Sequence, residues 1–305
     1  MTGRFAPSPT GDLHLGNLRT AAVAWLSARA QQARFLVRME DLDRHQSNVD
    51  NERRQLRDLT TLGIDWDGEV IRQSDRFAIY DAAIDDLRGR GLVYECYCTR
   101  REILAEIAAS SAAPHRPPGS YPGTCRDLDV DAAAAHREAG RRPALRLRTD
   151  GHPIAFDDRT VGHVEGIVDD VVLRRNDGVP AYNLAVVVDD GAQGVDDVVR
   201  GDDLVSSTPR QIHLQRLLGL PQPTYTHVPL VLGTDGERLA KRHGAVTLGD
   251  LEAAGVSQRS VIGWIAESLG LARAGEPVTL QQLVDLYDPT QLPTAPIVFE
   301  GVPPV

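Results

Sequence analysis

The chain has 305 residues, 42% of them hydrophobic and 25% charged, which is the composition of a globular protein and excludes fibrous and disordered classes. Its length predicts two or three structural units. The formal net charge of −10 gives no general attraction to nucleic acid, so a polyanionic partner must bind a local patch.

The N-terminal half is predicted to alternate between strands and helices. The first residues lack the basic and apolar regions of a signal peptide, and no apolar run approaches the roughly 18 residues of a membrane helix, so we expect a cytoplasmic protein with no membrane partner. RFAPSP reads as a short strand, and a helix is predicted to begin near His14, where apolar residues recur at helical spacing. A buried strand is predicted at ARFLVRME, residues 33–40, and amphipathic helices at about 49–62 and 75–89. This order indicates a parallel α/β sheet.

The composition of the chain changes near residue 91. A loop rich in Pro and Gly follows a short helical stretch there, which indicates an inserted unit. Strand and helix patterns then resume, and a helix is predicted at STPRQIHLQRLLGL with Thr208 as its N-cap and Pro209 in its first turn. The pattern is mostly helical after about residue 245, and we assign the last fifty or so residues no role.

The segment APSPTGDLHLGN, residues 6–17, has the composition of a phosphate-binding turn. Glycine and small polar residues between a strand and a helix allow backbone N–H groups and the helix N-terminus to face a ligand. A steric explanation of the glycines is equally good by itself. His14 favours the ligand, because it can donate to a phosphate while Gly16 lets a flat base approach the backbone. A lone histidine is more often packed or solvated, however, so a second element is needed.

The second element is GTDGERLAKRHGA, residues 233–245. A glycine-rich turn leads there into Arg238, Lys241 and Arg242, and cations on such a loop can stabilise the charge of a triphosphate in a transition state. Alone, the segment would be read as a solvated basic turn.

Together the two segments resemble the signatures of class I aminoacyl-tRNA synthetases. HLGN resembles their His-x-Gly-His signature and RLAKR their Lys-Met-Ser-Lys-Ser signature, in the same order and at a matching separation. The glutamyl branch is most similar, and the likeness to it covers nearly all of the chain up to about residue 250. Its counterparts here are RFAPSPTGDLHLGNLRTA, VRMEDLD, GVPAYNLAVVVDD and VVRGDDL. One departure is Ala240 in place of the serine before the lysine, which removes a hydrogen bond worth about 1 kcal/mol.

The resemblance implies sites for glutamate and for ATP with Mg²⁺. Glutamate needs cations for its two carboxylates, which Arg4 and Arg200 can supply, and an anion for its ammonium group, which Glu40 can supply. The alternative for these residues is a set of ion pairs in the crevice of the sheet. The implied glutamate-binding residues are Arg4, Ala6, Ser8, Glu40, Tyr182 and Arg200, and the implied ATP-binding residues are Gly11, His14, Gly16, Asn17, Arg238, Lys241 and Arg242, with His14 and Lys241 catalytic.

The chain stops soon after the second signature, where ordinary glutamyl-tRNA synthetases continue into a domain that reads the anticodon. In this it resembles the glutamyl-Q tRNA(Asp) synthetase family, whose members activate glutamate with ATP and transfer it to queuosine in the anticodon of tRNA(Asp). The resemblance implies ATP, L-glutamate and tRNA(Asp) carrying queuosine as partners, and no obligate protein partner is predicted. The alternatives are a truncated synthetase that acts on a tRNA 3′ end, a nucleotidylyltransferase with another acceptor, and a non-catalytic RNA-binding relative.

The implied fold is α/β, with a Rossmann-type catalytic core, an inserted zinc-binding and acceptor domain, a short C-terminal helical unit and no anticodon-binding domain. We place the core at 1–91 and 176–232, the insertion at 92–175, and the signature loop with the C-terminal unit at 233–305.

The three cysteines are too few and too oddly numbered for a disulfide framework. Cys96, Cys98 and Cys125 can provide three thiolates for one tetrahedral, structural Zn²⁺. The resemblance implies Tyr121 as the fourth ligand, whereas His115 is the more conventional candidate. The alternative is three buried, inert thiols.

Overall fold

The structure is a computed structural model that describes residues 1–109, 120–244 and 246–302. The strands are β1 (Thr2–Phe5), β2 (Arg34–Met39), β3 (Ile71–Arg72), β4 (Val93–Cys96), β5 (Ala144–Leu147), β6 (Pro153–Asp158), β7 (Gly162–Ile167), β8 (Val172–Arg174), β9 (Asp197–Gly201), β10 (Thr224–Val228), β11 (Val231–Leu232) and β12 (Ile297–Val298). The α-helices are α1 (Leu15–Ala30), α2 (Val49–Thr61), α3 (Phe77–Gly89), α4 (Arg100–Ala109), α5 (Val130–Glu138), α6 (Tyr182–Gln193), α7 (Thr208–Leu218), α8 (Leu248–Ala253), α9 (Gln258–Ser268) and α10 (Leu280–Leu283).

A parallel sheet organises the fold. Within the described ranges, seven strands pair in the order β3, β2, β1, β9, β10, β6, β7, and only β7 runs antiparallel to its neighbour. The strands β1 and β9 are buried along nearly their whole length, as expected for parallel strands that are covered on both faces. The predicted strands and helices of the first ninety residues are confirmed within a few residues.

Two smaller sheets complete the strand pairing in the part of the chain that the structure describes. The strands β4, β5 and β8 form an antiparallel sheet, and β11 pairs with β12. The strands β6 and β7 lie within the predicted insertion, residues 92–175, yet they belong to the main sheet. The predicted insertion therefore contributes strands both to the main sheet and to the smaller antiparallel sheet.

The helix α1 begins where its sequence favours a cap. His14 is the N-cap, its side chain accepts from the backbone N–H of Asn17, and the Asn17 side chain accepts from the backbone N–H of His14. Apolar residues such as Leu15, Leu18 and Leu26 then bury one side of α1 against the sheet. This cap fixes the position of His14 at the carboxyl end of β1.

The C-terminal unit covers the other side of α1. Val261 and Ile265 of α9 and Leu280 and Leu283 of α10 are buried in the same apolar cluster as α1. Because α1 is covered on both sides, it is a buried helix in which even Arg19 is only 1% exposed. The last fifty residues therefore help to close the core.

The prediction that Thr208 is the N-cap of α7 is wrong by one residue. The N-cap is Ser207, Thr208 is the first helical residue, and Pro209 lies in the first turn as predicted. The Thr208 hydroxyl is buried and accepts a hydrogen bond from Arg200 at 2.8 Å, so it serves the crevice of the sheet and not the end of the helix. Among the described helices, none has the length and apolar character needed to cross a bilayer.

Candidate active site

A cavity of about 500 Å³ opens at the carboxyl ends of β1, β2, β9 and β10. Ligands of open parallel sheets bind at this edge, where the strand order changes direction. The cavity brings together most of the site residues predicted from the sequence, namely Arg4, Ala6, Ser8, Gly11, His14, Gly16, Asn17, Glu40, Tyr182, Arg200 and Arg238.

His14 is held as a neutral hydrogen-bond donor. Its Nδ1 accepts from the backbone N–H of Asn17 at 3.3 Å, so the ring proton lies on Nε2. Burial, together with the Arg238 cation, lowers the pKa of His14 to about 4, against a smaller opposing effect of Asp203. At neutral pH the imidazole therefore offers one N–H to the cavity.

Gly16 leaves room for the imidazole of His14. A Cβ at this position would lie 3.0 Å from Nδ1 and from Cε1 of His14 and 3.5 Å from Cβ of Val231. The structure therefore gives Gly16 a steric role beside its predicted role at a base. Gly11 has no such steric role, since a Cβ there would have no described neighbour within 4 Å. Its carbonyl accepts a hydrogen bond from the Gln55 side chain at 2.7 Å.

A buried ionic network supports one end of the cavity, and its central residue, Arg38, was not predicted. The Arg38 guanidinium is 0% exposed, and it lies 2.8 Å from Asp190, 3.4 Å from Glu40 and 3.6 Å from Asp189. Arg4 also pairs with Asp190, at 3.3 Å. Arg38 lies on β2, and Glu40 follows the end of that strand. The available signal was a second arginine, after Arg34, in a strand whose other residues are apolar.

Glu40 is close to half ionised near neutral pH. Burial raises the pKa of its carboxyl to about 7, while the Arg38 and Arg4 cations oppose that rise. Tyr182, the first residue of α6, faces the same space, and burial followed by the Glu40 charge raises the pKa of its hydroxyl. The hydroxyl therefore stays protonated and can donate a hydrogen bond.

Arg200 supplies the cavity with another buried cation. Only 5% of the residue is exposed, and its nitrogens donate to His227 Nε2 at 3.0 Å, to Gln211 Oε1 at 2.6 Å and to Thr208 Oγ1 at 2.8 Å. These acceptors are neutral, and no carboxylate in the described part of the chain lies within ion-pairing distance of Arg200. Burial of a cation is costly without a counter-charge, which indicates that an anionic ligand group completes the site.

The predicted second signature lies beside the first. A neighbouring cavity of about 420 Å³ shares Asp12, His14 and Arg238 with the main one and extends to Arg242. The backbone N–H of Leu15 donates to the carbonyl of Val246 at 2.8 Å, which ties the end of the loop to the start of α1. The two signatures therefore face one continuous space.

The cations of the second signature are paired with exposed acids. Arg238 lies 2.7 Å from Asp203, and Arg242 lies 3.5 Å from Asp235. Lys241 begins a short 3₁₀ turn, but its side chain is outside the part of the protein that the structure describes. Its catalytic role stays a prediction.

His243 braces this loop and was not predicted. Its Nδ1 accepts from the backbone N–H of Ala240 at 2.9 Å, and its Nε2 lies 3.0 Å from Asp235 Oδ2. A Cβ on Gly233 would come within 2.6 Å of the ring. The loop is thus fixed through the backbone of Ala240, the position where the serine of the signature is missing.

The three cysteines meet in the smaller antiparallel unit. The sulfurs of Cys96, Cys98 and Cys125 all lie within 4.8 Å of one another. The Tyr121 hydroxyl lies 3.3 Å from the Cys96 sulfur and 3.6 Å from that of Cys98, and it accepts from the backbone N–H of Cys125 at 2.9 Å. Three sulfurs and one oxygen around a common centre are a donor set compatible with tetrahedral Zn²⁺. His115, the alternative ligand, lies outside the described residues.

The sequence is similar to those of known tRNA synthetases. The family model of tRNA synthetases class I (E and Q), catalytic domain, matches residues 1–283. The glutamyl-Q tRNA(Asp) synthetase of Nocardia farcinica is 58% identical over 294 residues, covering 96% of this chain and 91% of that protein. That of Symbiobacterium thermophilum is 44% identical, covering 97% of this chain and 95% of that protein.

A solved structure is similar over the same span. The glutamate tRNA ligase of Elizabethkingia meningosepticum, crystallised in complex with its amino acid, matches with a TM-score of 0.83 and 25% identity. The match covers 98% of this chain and 67% of that one. These similarities confirm the resemblance and the α/β fold predicted from the sequence.

Proposed function

Because the chain belongs to the glutamyl-Q tRNA(Asp) synthetase family of class I tRNA synthetases, we propose that it activates glutamate with ATP, without tRNA, and transfers it to queuosine at the wobble position of tRNA(Asp). It would act in the cytoplasm, where tRNA and ATP are available.

The observation that carries the proposal is the buried Arg200 cation, which faces the cavity without a carboxylate partner. Arg4, at the other cation site, already pairs with Asp190. A ligand with a carboxylate on its side chain would supply the counter-charge that Arg200 lacks, through a charge-assisted hydrogen bond. Glutamate meets this requirement, whereas a neutral amino acid would leave the cation buried and unpaired.

The other end of the amino acid fits the remaining residues. Ionised Glu40 would bind the ammonium group, and Arg4 would bind the α-carboxylate until it reacts. Ala6 and Ser8, also on the cavity wall, would leave room for the chain of the amino acid. Tyr182 would close the pocket with a donating hydroxyl.

In the first step the α-carboxylate of glutamate attacks the α-phosphorus of ATP, which gives glutamyl-adenylate and releases pyrophosphate. His14 would donate a hydrogen bond from its Nε2–H to the α-phosphate and keep that proton, and the N-terminus of α1 would add the field of its backbone N–H groups. Lys241, with Arg238 or Arg242, would bind the leaving pyrophosphate. The nucleotide enters as its Mg²⁺ complex, and Gly11, Gly16 and Asn17 would shape its site.

In the second step a ribose-like hydroxyl of queuosine attacks the carbonyl of the adenylate and releases AMP. The anhydride is already activated, so the protein has to align the two reactants and needs no nucleophile of its own. We therefore expect no covalent intermediate with the enzyme.

The cysteine cluster would hold a structural Zn²⁺ through Cys96, Cys98, Cys125 and the Tyr121 oxygen. A metal there would join the β4 end to the loop that carries Cys125, in a unit with a small apolar core of its own. None of these four residues lines the cavity, so the metal would have a structural role. We retain residues 92–175 as the proposed acceptor-side unit, with β6 and β7 anchoring it in the main sheet.

Glutamate-dependent exchange of labelled pyrophosphate into ATP, measured without tRNA, tests the first step. Exchange with glutamate and not with glutamine or aspartate supports the proposal, and its absence would contradict it. Labelled glutamate is then offered to tRNA(Asp) with and without queuosine. Labelling that requires queuosine supports the proposed acceptor, whereas labelling of a tRNA 3′ end would identify a truncated glutamyl-tRNA synthetase.

A further inference from the structure

Three neighbouring strands carry a polar chain that begins at Arg200 and leads away from the cavity. Arg200 on β9 and His227 on β10 are register partners, and β10 pairs in turn with β6, which ends at Asp158. The chain is buried, because His227 is 0% exposed and Asp158 is 4% exposed. The reaction proposed above uses neither of these two residues directly.

The hydrogen bonds fix which nitrogen of His227 carries the proton. Arg200 Nε–H can only donate, and it lies 3.0 Å from His227 Nε2, which must therefore accept. The other nitrogen, Nδ1, lies 2.6 Å from Asp158 Oδ2, so it carries the proton and donates to the carboxylate. The imidazole is consequently neutral, since a proton on Nε2 would confront the Arg200 N–H.

Asp158 is itself fixed by the backbone. Its Oδ1 accepts from the backbone N–H groups of Thr160 and Val161, both at 2.9 Å, which leaves Oδ2 for His227. The backbone N–H of His227 adds a third, longer hydrogen bond to Oδ1, at 3.3 Å. One carboxylate oxygen is therefore engaged by backbone donors and the other faces the imidazole.

We propose that Asp158 and His227 are positioning residues that orient the Arg200 guanidinium toward the side-chain carboxylate of glutamate, with the imidazole neutral and protonated on Nδ1. The neutral ring holds Arg200 by a hydrogen bond and keeps the Asp158 charge from pairing with it directly. Arg200 thus retains its charge for the ligand, in contrast to Arg4, which is paired with Asp190. This inference rests on the proposed function, because it assigns a ligand group to Arg200.

Asp158→Asn is the informative variant. The backbone N–H groups at this position can only donate, so they select the oxygen of the new Asn side chain. The amide N–H₂ then faces His227 Nδ1. The imidazole must then accept there and carry its proton on Nε2, where it opposes Arg200. We expect the KM for glutamate to rise about 10-fold to 100-fold, with kcat and the KM for ATP changed less than about twofold. Asp157→Asn on the same strand is the matched control, since this carboxylate is exposed and pairs with exposed His163.

Two substitutions of His227 separate positioning from simple packing. The carbonyl of His227→Gln can accept from Arg200 near the position of Nε2, whereas His227→Leu cannot. We expect the KM for glutamate to stay within about fivefold of the parent value in the Gln variant and to rise more than about tenfold in the Leu variant. Adding Asp158→Asn to His227→Gln should have little further effect, because no imidazole remains to be reversed.

Nitrogen-15 NMR shows which ring nitrogen of His227 is protonated, and it needs no substrate. The signal, assigned by its loss in His227→Gln, should show protonated Nδ1 in the parent protein and protonated Nε2 in Asp158→Asn. An imidazolium or a protonated Nε2 in the parent would overturn the proposal. So would an unchanged KM for glutamate in both Asp158→Asn and His227→Leu, or an equal rise in the KM for both substrates. If the parent shows no exchange with glutamate at all, the proposed function fails, and the NMR result still decides whether this pair holds Arg200.

Discussion

Glu40 carries a carboxyl whose charge changes in the pH range where the enzyme would work. Burial raises the pKa of this carboxyl to about 7, whereas the pKa of the neighbouring His14 is lowered to about 4. A change between pH 5.5 and 7.5 therefore titrates Glu40 and leaves His14 neutral. In the protein without ligand, stability falls as the pH rises from the ordinary carboxyl pKa of 4.5 to about 7, because the unfolded chain loses this proton first.

Glutamate binding should weaken as the pH falls through 7. The ammonium group binds the ionised form of Glu40, so at lower pH a proton must leave before the ligand binds, and the KM for glutamate should rise roughly 20-fold from pH 7.5 to 5.5. Pyrophosphate exchange at saturating ATP measures this change. Glu40→Gln should bind glutamate weakly at every pH, and a parent-like pH dependence in that variant would show that another group is titrating.

At the scale of elements, the loop of the second signature is held by His243. His243 joins the backbone of Ala240 to the carboxylate of Asp235, and its ring occupies the space above Gly233. The proposed roles of Arg238, Lys241 and Arg242 require that this loop keep its position, so they depend on the contacts of His243.

Gly233→Ala should therefore lower the rate of adenylate formation. The new Cβ would lie within 2.6 Å of the His243 ring and force it from its place. A displacement of the loop by about 1 Å is expected to lower kcat for exchange at least about tenfold, with the KM for glutamate little changed. Gly249→Ala in α8 is the control, because a Cβ there meets nothing within 4 Å. Equal losses in the two variants would contradict a role for the brace.

The proposed zinc site can be tested through its oxygen ligand, Tyr121. The protein purified without chelator should contain one Zn²⁺ per chain, and Tyr121→Phe should lose it to a chelator about 10-fold to 100-fold more readily than the parent. Tyr94→Phe is the matched control, because this tyrosine donates to Asp170 at 2.7 Å within the same unit. Parent-like retention in Tyr121→Phe, with loss in His115→Ala, would identify His115 as the ligand.

At the scale of the whole molecule, local patterns could predict the elements and the residues of single turns. His14, Gly16 and Asn17 lie in one turn, and the apolar pattern placed β2 and α1 within a residue or two. The residues that sequence reasoning missed are joined across the sheet. Asp158 and His227 are 69 positions apart, and they meet only because β6 lies beside β10, which no local pattern reveals.

The net charge of the chain affects binding of tRNA differently from binding of glutamate and ATP. A chain with a formal net charge of −10 repels tRNA at long range, so tRNA must be held by arginines gathered on one face. Each phosphate contact releases a counterion, which makes such binding steeply dependent on salt. The proposed sites for glutamate and ATP instead lie in the crevice of the sheet, where salt screens charges less.

Raising the salt concentration should therefore weaken glutamate transfer to tRNA(Asp) far more than glutamate activation. Between about 50 mM and 200 mM salt, we expect the apparent affinity for tRNA to fall at least about tenfold, while the rate of pyrophosphate exchange changes less than about twofold. Both reactions are measured on the same preparation, with potassium chloride and with a second monovalent salt as the control for ion-specific effects. Parallel losses in the two reactions would mean that salt acts on the crevice itself, and a transfer reaction that is indifferent to salt would contradict recognition of tRNA through its phosphates.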